Sequence, residues 1–131
     1  RRRPPPAAAA PLAAAAPLAF AADALLRRLS GDHELMVDVL RLFREDLPVH
    51  LAAIEQAVTA GDAAALRSAA HTLKGSAANL SAIALFESAS ALETMAAASN
   101  LAGVEALWHQ LKGAAAATDA ALQYHAAATG A

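Results

Sequence analysis

Apolar residues recur every three or four positions along most of this chain, the spacing that lines one face of a helix. The longest such run takes in Met36, Leu40, Phe43, Leu47, Leu51, Ile54 and Val58 and passes through Pro48 without losing phase. Because the phase survives, the pattern predicts a single helix bent at the proline rather than two helices. Asp32 stands where it can cap that helix, and Gly61 followed by Asp62 reads as a stop and a new start. Glycine suits the left-handed position after a helix, and aspartate accepts from the free N–H groups of the next one.

The helix begun at Asp62 should run to about Leu80, with Leu66, Ala70, Leu73, Ala77 and Leu80 as its apolar stripe. Ser81 is placed to cap the following helix, whose stripe is Leu85, Ala89, Leu92 and Ala96. Asn100 is placed to cap the last, with Val104, Leu107, Leu111, Ala115, Thr118 and Leu122 turned inward. Ahead of all these, Asp23 opens a short helix ending near Leu29, stopped by "SGD". Short connections make neighbours antiparallel. The expected fold is all-α: an antiparallel up-and-down four-helix bundle with a short additional N-terminal helix.

Composition agrees with that class and narrows the chemistry. The 131 residues are 57% hydrophobic but only 4% aromatic, and roughly a third of them are alanine, far above ordinary usage and the best helix former. A formal charge of -2 gives no field to attract nucleic acid or an anionic membrane. With no cysteine there is no disulfide frame, thiolate chemistry or cysteine-based metal site. The opening "RRRPPPAAAAPLAAAAPLAFAA" has the outline of a targeting peptide, but it is punctuated by proline and poor in large apolar residues. Residues 1–18 therefore read as a Pro/Ala-rich linker or tail, and residues 19–128 as the helical domain. That linker and the lack of an initiator methionine suggest a domain cut from a longer chain.

One segment departs from the alanine and leucine background. At about 100° per residue, Arg67, Lys74, Gly75 and Ala78 fall within about 60° of His71 and away from the Leu66–Leu80 stripe. His71 is thus a surface histidine, with a cation one turn away and a residue without a side chain beside it. A neutral imidazole is a nucleophile near neutral pH, and a lysine can neutralise phosphoryl oxygens as a point charge. Glycine inside a helix costs about 1 kcal/mol relative to alanine, so Gly75 asks for a reason. Spacing alone equally allows an ordinary polar helix face.

"AHTLKGSAANLSA", preceded by "AVTAGDAAALRSA" and followed by "LFESASALETM", resembles the histidine-containing phosphotransfer (HPt) domain of multistep two-component phosphorelays. The likeness extends over about residues 20 to 125 and includes the upstream "LSGDHELMVDVLRLFREDLPVHLAAIEQA". It implies that His71 is the phosphoacceptor, that Lys74 stabilises the phosphoryl group, that Gly75 leaves room for it and that Ser76 edges the site. Glu93 matches a position that usually carries an acidic or amide group bonded to the imidazole. One departure is Ser81, where the family usually has a second glycine.

The resemblance also implies partners: response-regulator receiver domains that dock around Arg67, Ser68, Ser76, Ala78 and Ser81, and a parent hybrid histidine kinase. It implies a cytoplasmic monomer without ATP-dependent kinase activity of its own and without a cofactor, the Mg2+ belonging to the receiver. Three other classes compete. The alanine faces would suit a helical interaction or dimerisation module. His33, His50, His71, His109 and His125 include no pair four apart on one helix, which argues against a metal site. A hydrolase would need a nucleophile partner that the sequence does not offer. His109 falls off the inward stripe of the last helix, and Trp108 beside it reads as packing.

Overall fold

The computed structural model describes residues 21–129; the predicted linker and targeting features lie outside the described residues. Five helices make up the described chain: α1 (Ala22–Arg28), α2 (His33–Ala60), α3 (Ala63–Leu80), α4 (Ile83–Ala97) and α5 (Val104–Thr129). The last four close into an antiparallel ring in which α2 meets α3 and α5, and α4 meets α3 and α5. The short α1 lies across the end of the bundle where α2 begins and α3 finishes.

Predicted helix boundaries between α2 and α3 hold to the atom. The Asp32 carboxylate accepts from Leu35 N–H at 3.0 Å, and the Asp62 carboxylate accepts from Ala65 N–H at 3.0 Å. Gly61 sits left-handed at φ 65° between the two helices. Helix α2 is continuous through Pro48, which is exposed, so water can take the Arg44 carbonyl that the proline leaves without a donor.

Three caps differ from expectation. Ala21, not Asp23, precedes α1, and Asp23 sits in the first turn, where its charge still suits the positive end of the helix. Asn100 Oδ1 accepts from Ala102 N–H at 3.2 Å in a turn of its own, and Gly103 at φ 81° delays α5 until Val104. Ser81 does not cap α4: it closes α3 in the left-handed conformation at φ 63°, and Ala82 precedes α4 without a side-chain bond. The serine therefore occupies the conformation that glycine adopts without strain. Ser81→Gly should raise stability by about 1 kcal/mol, read as a higher urea midpoint at unchanged m-value. A lowered midpoint would show that the serine hydroxyl contributes more than the strain removes.

The core follows the predicted stripes. Leu66, Ala70, Leu73, Ala77 and Leu80 on α3 and Leu85, Ala89 and Leu92 on α4 are at most 1% exposed. Alanines at Ala70, Ala77 and Ala89 let these two helices approach closely, and α3 with α4 forms the most intimate pair in the bundle. On α5 the buried position beside Leu111 is Trp108, while Leu107 is only partly buried. Thr118 also faces inward, and its hydroxyl is satisfied by the Ala114 carbonyl at 2.7 Å.

Candidate functional site

Helix phase decides the character of His71. Ala70 and Leu73 are fully buried and lie about 60° apart around the helix, so His71, about 130° from their bisector, turns outward, and its side chain is 68% exposed. The α3–α4 turn then decides its neighbour. An antiparallel hairpin reversing at Ser81 and Ala82 sets residues some ten positions before the turn beside those about as far after it, which brings Glu93 opposite His71. Leu92 anchors that stretch of α4 in the core, and Glu93 emerges at the rim with 18% of its side chain exposed.

One carboxylate oxygen goes to each of two partners. Glu93 Oε2 is 2.7 Å from His71 Nδ1, and Glu93 Oε1 is 2.5 Å from Lys74 Nζ. A carboxylate only accepts, so the imidazole donates through Nδ1–H. In the neutral ring this leaves the lone pair on Nε2, the nitrogen away from Glu93. The Lys74 and His71 bonds hold the Glu93 pKa below the usual carboxylate value, with Lys74 the larger influence. A depressed carboxylate pKa means that the pairing stabilises the fold above the ordinary glutamate range and is lost as pH falls through the lowered value. The contact is therefore intact at neutral pH without any charge on the imidazole.

The glycine beside the histidine is not required by packing. A methyl group built on Gly75 would meet nothing within 4 Å, and its helical φ is one that any residue adopts. Nothing among the described residues accounts for its conformational cost in α3. Space at this position is open to whatever approaches from outside.

The other predicted site residues surround this centre unequally. Arg67 and Ser68 are exposed and line a shallow depression with Ala64, His71, Thr72 and Glu93. The Thr72 hydroxyl is turned back to the Ser68 carbonyl at 3.1 Å. Ser76 is half-buried. Ala78 is exposed, two turns from His71, and its carbonyl accepts from Arg28 Nη2 at 2.9 Å; the same nitrogen reaches the Asn79 carbonyl. Ser81 lies farther still, at the end of α3.

Two of these features escaped the sequence. The Lys74–Glu93 pair was legible in principle, since hairpin pairing places Glu93 beside the turn that holds both His71 and Lys74. The clamp of Arg28 on the last carbonyls of α3 spans about fifty residues and leaves no local signal. The remaining histidines stay apart, and among the described residues no three His, Asp or Glu side chains cluster as a metal site would require. His109 is exposed, while Trp108 packs inward under Lys112, whose Nζ lies 5.2 Å from the ring centroid. No described helix is long and apolar enough to cross a membrane.

Comparison with known proteins bears on the same hairpin. A search of curated proteins finds no match. Among solved structures, the chain is similar to the crystal structure of histidine-containing phosphotransfer protein B (HptB) from Pseudomonas aeruginosa PAO1, at 27% identity and a TM-score of 0.73. The match covers 81% of this chain and 93% of that one. The model of the Hpt domain matches residues 38–107, a span that contains all of α3 and α4. With His71, Lys74, Gly75 and Glu93 inside it, the chain belongs to the Hpt domain family.

Proposed function

We propose that this chain is a phosphorelay intermediate in which His71 accepts a phosphoryl group from the phospho-aspartate of one receiver domain and delivers it to an aspartate of another. The observation that carries the reading is the exposed imidazole held through Nδ1 by Glu93, within a family of phosphotransfer domains. In the forward step the Nε2 lone pair attacks phosphorus, the bond from phosphorus to the aspartyl oxygen breaks, and the aspartate departs as a carboxylate. Nδ1 keeps its proton, so the product is a phospho-imidazolium, and Glu93 is placed to balance its positive ring. Delivery to the second aspartate reverses these bonds.

Each neighbour supports this chemistry in its own way. Gly75 leaves the approach to the imidazole open, as phosphoryl transfer between two proteins with near in-line geometry needs. Lys74 is placed to neutralise phosphoryl oxygens once it shares or leaves Glu93. Receiver docking would use Arg67, Ser68, Ser76 and Ala78 around the histidine, with Ser81 at the margin, and such an encounter is small and transient. The divalent cation of the reaction belongs to the receiver's acidic pocket. A monomer working in the cytoplasm with the receivers of a hybrid histidine kinase completes the reading.

The test is to incubate the protein with a phosphorylated receiver and measure acid-labile, alkali-stable phosphate, with His71→Gln in parallel. Label on the wild type alone supports the relay. Label on neither, across a panel of receivers and with the helical fold intact, would return the chain to the helical interaction module. Lys74→Ala should slow transfer by about tenfold, the scale of one charge-assisted contact in an open site. Its circular dichroism should stay that of the wild type, since alanine favours the helix. Equal transfer rates would remove Lys74 from the mechanism.

A further inference from the structure

Two cations stand one helical turn from His71, and they are not equivalent. Lys74 lies on the C-terminal side, is 27% exposed and is engaged with Glu93 at 2.5 Å. Arg67 lies on the N-terminal side and is exposed, and its guanidinium makes no hydrogen bond or ion pair among the described residues. The depression beside the imidazole is lined by Ala64, Arg67, Ser68, His71, Thr72 and Glu93; Lys74 does not line it. Side chains on a helix lean toward its N-terminus, so the His71 ring is carried over the turn that holds Arg67.

Charge counting separates the two further. The Lys74 ammonium and the Glu93 carboxylate cancel in the resting site, leaving little net field from that pair at Nε2. The uncompensated positive charge on this face of α3 belongs to Arg67. A residue four positions away on a helix has its Cβ about 5–6 Å distant, well within the reach of an arginine side chain. Its guanidinium stays charged at any working pH and offers paired N–H donors that match two phosphoryl oxygens at once.

We propose that Arg67 contacts the phosphoryl group carried on His71 Nε2, and so acts in the chemistry of transfer rather than only in receiver docking. The proposal rests on His71 being the phosphoacceptor. In it, Arg67 meets the incoming negative charge while Lys74 is still held by Glu93.

A small phosphodonor separates chemistry from docking. Phosphoramidate, as the zwitterion with a protonated nitrogen on phosphorus, can phosphorylate an imidazole directly. Nε2 attacks phosphorus, the P–N bond breaks, ammonia leaves, and the ring keeps its Nδ1 proton. The rate of His71 labelling by phosphoramidate, followed by phosphorus NMR, would be compared for wild type, Arg67→Gln and Arg67→Lys, with helical content checked by circular dichroism. Arg67→Gln should label about five- to tenfold more slowly, less than the hundredfold typical of a buried donor because water screens this open site. Arg67→Lys should recover part of the rate by restoring the charge without the paired donors. Labelling of Arg67→Gln at the wild-type rate would overturn the proposal and leave Arg67 as a docking residue. Failure of the wild type itself to take label would overturn the underlying assignment of His71, a separate result.

Discussion

Replacing His71 with glutamine should reduce acid-labile phosphate on the protein to background, a loss of more than about a hundredfold. The amide of glutamine carries no basic lone pair, so it cannot attack phosphorus whatever its position. Yet the variant should fold as well as the parent. The side chain it replaces is 68% exposed, glutamine is a good helix former, and its amide N–H can still donate to Glu93. Stability within about 0.5 kcal/mol of wild type is expected for an exposed substitution of this kind, measured by urea unfolding beside the labelling assay. Persistent label would place the acceptor on His33, His50, His109 or His125, which peptide mapping of the labelled protein would resolve.

The second large effect concerns the wall behind the site. Leu73 belongs to the turn that carries His71 and Lys74, but it points the other way and is fully buried. Leu73→Ala should destabilise the protein by about 3–5 kcal/mol, the upper part of the range for such truncations. Truncation costs less where neighbours can swing into the gap, and much of the packing between α3 and α4 is made by Ala70, Ala77 and Ala89, which have no rotamers to change. The alanines cannot close the cavity, which leaves that to the surrounding leucines or to a shift of whole helices. The melting temperature should fall by about 10–20 °C for a domain of this size. A loss under about 1 kcal/mol would show that α3 and α4 do collapse on one another, and the distance from His71 to Glu93 would then change as well.

The helices and their core were readable in the sequence because a single periodicity governs both. Leu66 to Leu80 and Leu85 to Ala96 repeat every three or four residues without a break, and the buried positions follow them. Aspartate caps were readable where a helix begins directly after a tight turn, as at Asp32 and Asp62. Cap placement failed at Asn100, where the chain between helices takes a path of its own, and at Asp23, which sits inside the first turn, because a capping residue alone does not fix where the helix starts. Ser81 was misplaced because serine is a good N-cap by type, whereas the position requires a left-handed backbone, and the sequence does not display φ.

The site divides in the same manner. Exposure of His71 followed from phase, and its pairing with Glu93 follows from phase together with the short α3–α4 turn. The division of the Glu93 carboxylate between two donors depends on distances of a few ångströms, finer than a helical wheel resolves. The Arg28 clamp on the α3 carbonyls depends on where α1 docks, a tertiary choice with no periodic trace.

The α3–α4 hairpin has a consequence for how the site comes into being. His71 and Glu93 are separated by 22 residues, and every bond among His71, Lys74 and Glu93 closes within that span. Contacts so near in sequence form with little loss of chain entropy, and they favour fast folding over slow searching. The arrangement of imidazole, carboxylate and ammonium should thus be reached as soon as two neighbouring helices pair, before α5 has found its place. A chain emerging from the ribosome would hold its chemistry ready about thirty residues before its fold was complete.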